Sequence, residues 1–359
     1  MSPPIVHVAS GREWRGGQRQ VWLLAQALAR MGVEQVVVTG SGTELARRLR
    51  SSGVPLRPVT WSAGLDPRVL VPIIGTLRRR PAILHAHDAH ALTLAGVCAA
   101  LVGAPLVVTR RVDFPLRRRG FWARADRVIA ISHAVSEVLV RSGIDPGRIS
   151  VVHSGISLDL ARATTRLGIR DLLGLPAAAR VAANVAALVP HKDHATLLGA
   201  AKQLEARYPD LTWVIAGEGD LRPALESRIR QLGLTSRVHL MGHVPNPERL
   251  IADADVFVMS SQEEGLGTSV LEAMALGIPV ASTAAGGLPE MLGNGAGLVV
   301  PPREPGALAD AVARLLESAQ LRANLVERGL AEVQRFTDQR MADEVRSVYR
   351  SCAHSLDGS

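Results

Sequence analysis

Short apolar, β-branched runs alternate with helical stretches along this chain, and the alternation ends and begins again near its middle. The first set of runs covers residues 5–10 (IVHVAS), 35–40 (QVVVTG), 82–87 (AILHAH), 105–110 (PLVVTR), 127–132 (RVIAIS) and 149–155 (ISVVHSG). Helical spacing fills most gaps, as in 20–32 (QVWLLAQALARMG), closed by Gly32. The second set covers 180–189, 212–219, 237–242, 255–260, 279–287 and 296–301. Apolar strands alternating with helices specify parallel sheets covered on both faces. The stretch 163–180 between the sets reads as a linker with a short helix, and residues 306–318 and 338–352 read as helices. A chain of 359 residues exceeds one ordinary core. The expectation is therefore two similar doubly wound α/β domains facing each other, with ligands at the carboxyl ends of the strands, in the cleft between them.

The longest uncharged run, Ala91–Val108, is long enough to raise a membrane span. Gly103 and Pro105 divide it into a helix and a strand, so it reads as interior. The N-terminus lacks a basic segment followed by an apolar core, and no signal peptide is expected. Two distant cysteines, Cys98 and Cys352, form no disulfide framework and suit a reducing, cytoplasmic setting. Aromatic residues are only 3%, which gives no stacking platform for nucleic acid. The net charge of +8 nevertheless suits an anionic partner. Basic clusters stand at 78–80 and 117–119, the second followed by Phe121 and Trp122. They read either as solvated loops or as a patch for an anionic membrane surface.

Residues 263–280, EEGLGTSVLEAMALGIPV, carry two carboxylates eight positions apart, Glu264 and Glu272. Gly265 and Gly267 free the backbone for a turn, and a helix follows with Thr268 or Ser269 as its cap. One reading is structural, with Ser269 and Glu272 forming a capping box. The other is functional: the helix N-terminus takes a phosphate and the carboxylates take hydroxyl groups on either side of it.

The chain has 39 arginines and two lysines, and one lysine, Lys192, follows the first strand of the second set. A compact ammonium there could neutralise a diphosphate, or be a solvated loop residue. His191 and His194 frame it, with no third metal ligand near in sequence. The segment 10–20, SGREWRGGQRQ, lies between the first strand and helix, where Gly16 and Gly17 let a backbone approach a ligand. The G-x-G pairs in 39–45 and 216–222 fall short of the dinucleotide fingerprint. His85, His87, Asp88 and His90 sit at a strand end, as a metal site, as polar groups at the cleft, or with Asp88 as a helix cap. Asp253 and Asp255 read as structural, at a helix end and strand start.

With these motifs in order, the chain resembles retaining glycosyltransferases of family 4, the "group 1" class with the GT-B fold. The E-x7-E element carries the resemblance most specifically. Residues 282–302, 149–157 and 16–32 resemble the family's later glycine loop, the strand and hinge closing the first domain, and the first glycine loop with its helix. The resemblance implies an acceptor-side domain over 1–160, a nucleotide-sugar domain over 161–336, and a last helix, about 337–353, crossing back to the first. Glu264 would hold donor-sugar hydroxyls, Glu272 the ribose, and Lys192 the diphosphate, with backbone at Gly265, Leu266, Gly267 and Thr268. Gly16 and Gly17 would lie beside the diphosphate, and Gly242, His243 and Val244 near the base. His85, His87, Arg110 and Arg111 would line the acceptor side, the two histidines joining Lys192 and Glu264 in the catalytic set. No metal and no cofactor are implied; the nucleotide diphosphate sugar is a co-substrate, and a glycan or lipid-linked molecule the acceptor.

Many members of that family carry arginine five or six positions before the lysine, where this chain has Ala186 and Ala187. Arg12, Arg15 or Arg110 could supply the missing cation, or the donor site is weakened. The expected reaction is sugar transfer in cell-surface glycan or lipopolysaccharide synthesis. The alternatives are a nucleotide-sugar epimerase of the same shape and a non-catalytic nucleotide-sugar-binding relative.

Overall fold

The computed structural model describes residues 3–61, 66–116 and 119–353. It divides into two compact units, Met1–Gly155 with Phe336–Ser359, and Ile156–Arg335.

The first unit is built on seven parallel strands: β1 (Ile5–Ala9), β2 (Gln35–Gly40), β3 (Leu56–Val59), β4 (Ile83–Ala86), β5 (Leu106–Arg110), β6 (Arg127–Ala130) and β7 (Ile149–Val151). Their spatial order is β3-β2-β1-β4-β5-β6-β7. The second unit has six: β8 (Arg180–Val185), β9 (Leu211–Ala216), β10 (Val238–Gly242), β11 (Val256–Met259), β12 (Val280–Thr283) and β13 (Leu298–Val300), ordered β10-β9-β8-β11-β12-β13. Both sheets are doubly wound. Their order reverses between β1 and β4 and between β8 and β11, which opens a crevice at the carboxyl ends of those strands.

Every strand expected from the sequence is present, and β3 is an addition. It pairs with β2 alone, carries Pro58, and exposes Arg57 and Pro58. An edge strand tolerates a missing N–H and needs little apolar content, so it leaves almost no apolar signature.

The run Ala91–Val108 divides as expected. A helix, Ala89–Val102, ends at Gly103 in the left-handed conformation, and β5 follows. Among the described residues no helix is long and apolar enough to cross a membrane. Asp88 caps this helix by accepting from Ala91 N at 2.8 Å. Asp253 accepts from Gly168 N and Ile169 N, and Asp255 from Arg170 and Val181 N, so both aspartates are structural.

The aromatic pair proposed for a membrane surface turns inward instead. Trp122 is buried with the Arg110 guanidinium 5.3 Å from its ring centre, and the Phe121 ring packs where a side chain on Gly96 would stand. Arg117 and Arg118 lie outside the described residues.

The helix Asp338–Ala353 belongs to the first unit. Its Met341, Val345, Val348 and Tyr349 share a core with Leu23, Leu24 and Leu28 of the helix Gly16–Arg30. Arg30 reaches Asp338 at 2.8 Å.

Candidate functional site

In the second unit the crevice lies between the ends of β8 and β11, and three loops are knitted together there. The loop after β8 turns through a short 3-10 helix, Pro190–Lys192. Its His191 O accepts from Gln262 N at 2.8 Å, and its Lys192 O accepts from Ser260 Oγ at 3.0 Å. Thr283, ending β12, donates to Ser261 O at 2.6 Å. Glu264 O accepts from Gly287 N at 3.0 Å. Backbone and hydroxyl bonds thus fix the loops independently of the charged side chains they carry.

Those side chains meet. The Lys192 ammonium pairs with the Glu264 carboxylate, which also accepts from Ser261 Oγ at 3.3 Å. The side chains keep only 15% and 11% of their exposure, so the pair is shielded from solvent yet open at one edge. The sequence places these residues 72 positions apart, and the sheet order makes them neighbours.

The helix Thr268–Ala275 begins directly beyond Glu264. Its N-cap is Gly267, at φ 92°, and no side chain caps it. Ser269 is therefore not the cap that a capping box with Glu272 requires: the helix starts one residue earlier than a Thr268 cap needs and two earlier than a Ser269 cap. Gly267 has to be glycine. A Cβ would stand 2.6 Å from Leu288 Cδ2, and its φ disfavours any side chain. Gly265 and Leu266 are buried, Thr268 is half-buried, and Glu272 is buried one turn into the helix. Uncapped N–H groups, an ammonium and two carboxylates lie along one short path, a set suited to an anion flanked by hydroxyls.

Gly242 ends β10 and is buried, His243 is exposed and Val244 half-buried in the following loop. Gly217 N donates to Gly242 O at 2.9 Å. The G-x-G at Gly217 and Gly219 serves packing: a Cβ on Gly217 would stand 1.9 Å from Ala186 O. Ala186 and Ala187 thus lie in a tightly packed strand-end loop. His194 is buried at the start of the helix His194–Leu204, and neither ring nitrogen has a hydrogen-bond partner among the described residues. Burial, and then Lys192 nearby, lowers its pKa to about 4. Among the described residues no third ligand joins His191 and His194 in a metal-sized group.

In the first unit the crevice lies between β1 and β4. Ser10, after β1, donates through N at 2.8 Å and through Oγ to Asp88, after β4. Gly16 is exposed and Gly17 half-buried at the start of the helix Gly16–Arg30, whose N-cap Arg15 makes no side-chain cap. His85 does not reach the surface. Its ring lies 2.6 Å from Tyr349 Oη and 2.7 Å from Thr109 Oγ1, and it is fully buried. It is a supporting residue rather than one that touches a substrate. His87 is 4% exposed, and His90 instead meets Trp61.

Sequence reading missed His7. The β1–β4 register sets His7 beside His85, and His87 shares their face two residues on. The three rings offer nitrogens within 4.8 Å of one another. Hydrogen bonds already engage both nitrogens of His85 and link His7 Nδ1 to His87 Nε2 at 2.9 Å, so the cluster is a bonded network as it stands.

The named sources of a second cation are engaged elsewhere. Arg15 pairs with Glu13, Arg12 reaches Trp61 O, and Arg110 donates to Val112 O and Phe114 O. Arg111 is the arginine beside the glycine pair: its Cδ lies 3.6 Å from the Cβ position of Gly17.

Residues 169–352 match the family described as glycosyl transferases group 1, and residues 14–160 match glycosyltransferase family 4. The chain belongs to the glycosyl transferases group 1 family. D-inositol 3-phosphate glycosyltransferase of Mycobacterium tuberculosis is 32% identical over 292 residues, 77% of this chain and 59% of that protein. D-inositol 3-phosphate glycosyltransferase 2 of Catenulispora acidiphila is 34% identical over 247 residues, 65% of this chain and 57% of that protein. The chain thus spans under two thirds of the curated relatives it matches. Among solved structures, Anabaena HepE with UDP and glucose superposes with TM-score 0.85 at 21% identity, over 97% of this chain and 100% of that one. A Rickettsia africae glycosyltransferase gives 0.83 at 19% identity, over 98% of each chain. These likenesses place the fold of this group 1 member in the GT-B class.

Proposed function

We propose that this chain transfers a sugar from a nucleoside diphosphate sugar to a hydroxyl acceptor. The observation that carries the reading is the Lys192–Glu264 pair at the β8/β11 crossover, set against the uncapped helix that holds Glu272. In the donor complex, Lys192 exchanges its carboxylate partner for the diphosphate and stabilises the charge that builds on the leaving phosphate. The N–H groups at Gly267 and Thr268 add fixed dipoles aimed at the same charge. Glu264, released from Lys192, accepts from sugar hydroxyls, and Glu272 accepts from the ribose. The base lies near Gly242, His243 and Val244. In the first unit Arg111 and Gly17 present a cation and a bare backbone to the anionic part of a substrate. The Lewis-acid role is filled by the ammonium and the helix, so transfer proceeds without a metal, with retention of anomeric configuration as the family resemblance implies.

UDP and UDP-glucose, with which Anabaena HepE was solved, are the first donors to try. D-inositol 3-phosphate, named in the curated relatives, is the first acceptor; glycan and lipid-linked acceptors follow. The test is release of nucleoside diphosphate from a donor panel with and without acceptor, products being identified by mass. Acceptor-dependent release, unchanged by EDTA, is expected. A new sugar formed from donor alone would make the chain an epimerase. Binding without turnover would make it a non-catalytic relative, the reading that Ala186 and Ala187 favour.

A further inference from the structure

Three side chains of the first unit form a line of hydrogen bonds with a single polarity. Arg111 Nη2 lies 3.5 Å from His87 Nδ1. His87 Nε2 lies 2.9 Å from His7 Nδ1. His7 is fully buried. Neither His7 Nε2 nor Gln35 Oε1 has a hydrogen-bond partner among the described residues. Gln35 Nε2 donates to Ala25 O at 2.7 Å.

The polarity follows from the guanidinium end. A guanidinium only donates, so His87 Nδ1 accepts and the His87 proton sits on Nε2. That proton goes to His7 Nδ1, which leaves the His7 proton on Nε2. Burial lowers the pKa of His7 to about 4 and that of His87 well below its ordinary value, so each ring is neutral and carries one proton. His85, bonded to Tyr349 and Thr109, packs 4.0 Å from the His87 ring centre and closes the line off on one side.

The line ends on a cation. Arg111 forms no hydrogen bond to a carboxylate among the described residues, and Asp88 acts on it only through space. Its Nε is buried and unpartnered. Burial lowers its pKa to about 10, which leaves it charged at neutral pH. We propose that His7 is a positioning residue that acts through His87 to hold Arg111 beside Gly17 as a fixed cation for a phosphate group. The proposal rests on the transfer reading only for which substrate brings that phosphate, the donor or the acceptor.

Two measurements on the full chain test it. The first is the 15N shifts of the imidazoles in the wild type. Both His7 and His87 are expected as the Nε2–H tautomer, and an Nδ1–H tautomer at either overturns the proposal. The second is calorimetric titration with inorganic pyrophosphate and with inorganic phosphate. Asparagine places an oxygen near the Nδ1 position, so His7→Asn is expected to keep affinity within about twofold, while His7→Phe loses about tenfold, the order of one hydrogen bond to a charged group. A loss confined to pyrophosphate assigns the donor diphosphate, and a loss that includes phosphate assigns a phosphomonoester. Equal affinities in His7→Asn and His7→Phe overturn the proposal. Should His7→Phe not fold, His7→Leu against His7→Asn makes the same comparison. Absence of sugar transfer with tautomers and anion binding as expected would sink the transfer reading and leave this one standing.

Discussion

Lys192 is one of two lysines among 41 basic residues, and it stands where an ammonium differs most from a guanidinium. Its compact charge pairs with Glu264 in a half-closed crevice and can be handed to a phosphate without a fixed fork geometry. Lys192→Met keeps the stem and removes the charge. It is expected to lower the rate of transfer about a hundredfold, the usual loss for one charge-stabilising donor. Steady-state kinetics check this, and a variant within tenfold of wild type contradicts the role. Glu272→Ala is expected to raise the Kd for the nucleotide about tenfold by removing a charged hydroxyl acceptor. Titration with the nucleoside alone, which still carries the ribose, checks that assignment, since the loss should persist there. Residues of this kind were legible because strand-end positions can be read from the chain. His7 was not, because its neighbour His87 lies about 80 residues away; Arg111 was named for the acceptor side, but its place beside Gly17, about 94 residues away, likewise depends on the order of strands in the sheet, which follows from packing.

The helix Thr268–Ala275 illustrates how one backbone angle redirects an element. Sequence alone offered Thr268 or Ser269 as its cap. Gly267 takes the left-handed conformation instead and starts the helix earlier, which leaves its first N–H groups without a side-chain cap. Gly267→Ala is expected to destabilise the fold by about 1–3 kcal/mol through backbone strain and contact with Leu288. Nucleotide affinity should fall with it, because the N–H groups move. Denaturant unfolding and nucleotide titration check the pair, and an alanine variant of unchanged stability contradicts the account of the turn. The edge strand β3 was illegible for the opposite reason. Its exposed Arg57–Pro58 lacks the apolar run that marked the other strands.

At the scale of the molecule, the restart of the strand pattern near residue 180 announced two units of like winding, and both sheets reverse their order between their first and fourth strands. Each crevice holds a depressed histidine nearby. His7 and His194 both fall from the ordinary 6.5 to about 4 because burial disfavours their charged forms. The unfolded chain therefore takes up protons first as pH falls. Stability is whole above about pH 6.5 and declines toward pH 4, by about 1.4 kcal/mol per pH unit for each such group. Melting temperature should drop across that window, and His194→Gln should make the drop shallower; an unchanged slope would contradict the burial argument. The central claim is that the crevice beside Lys192 binds a nucleoside diphosphate. Its most direct measurement is thermal melting with UDP, GDP and ADP, for the wild type and Lys192→Met. A ligand at a hundred times its Kd adds about 2.7 kcal/mol to the folded state. One nucleotide is expected to raise the wild-type melting temperature by several degrees and the variant's by much less. No shift with any of the three, or an equal shift in both proteins, would contradict the account.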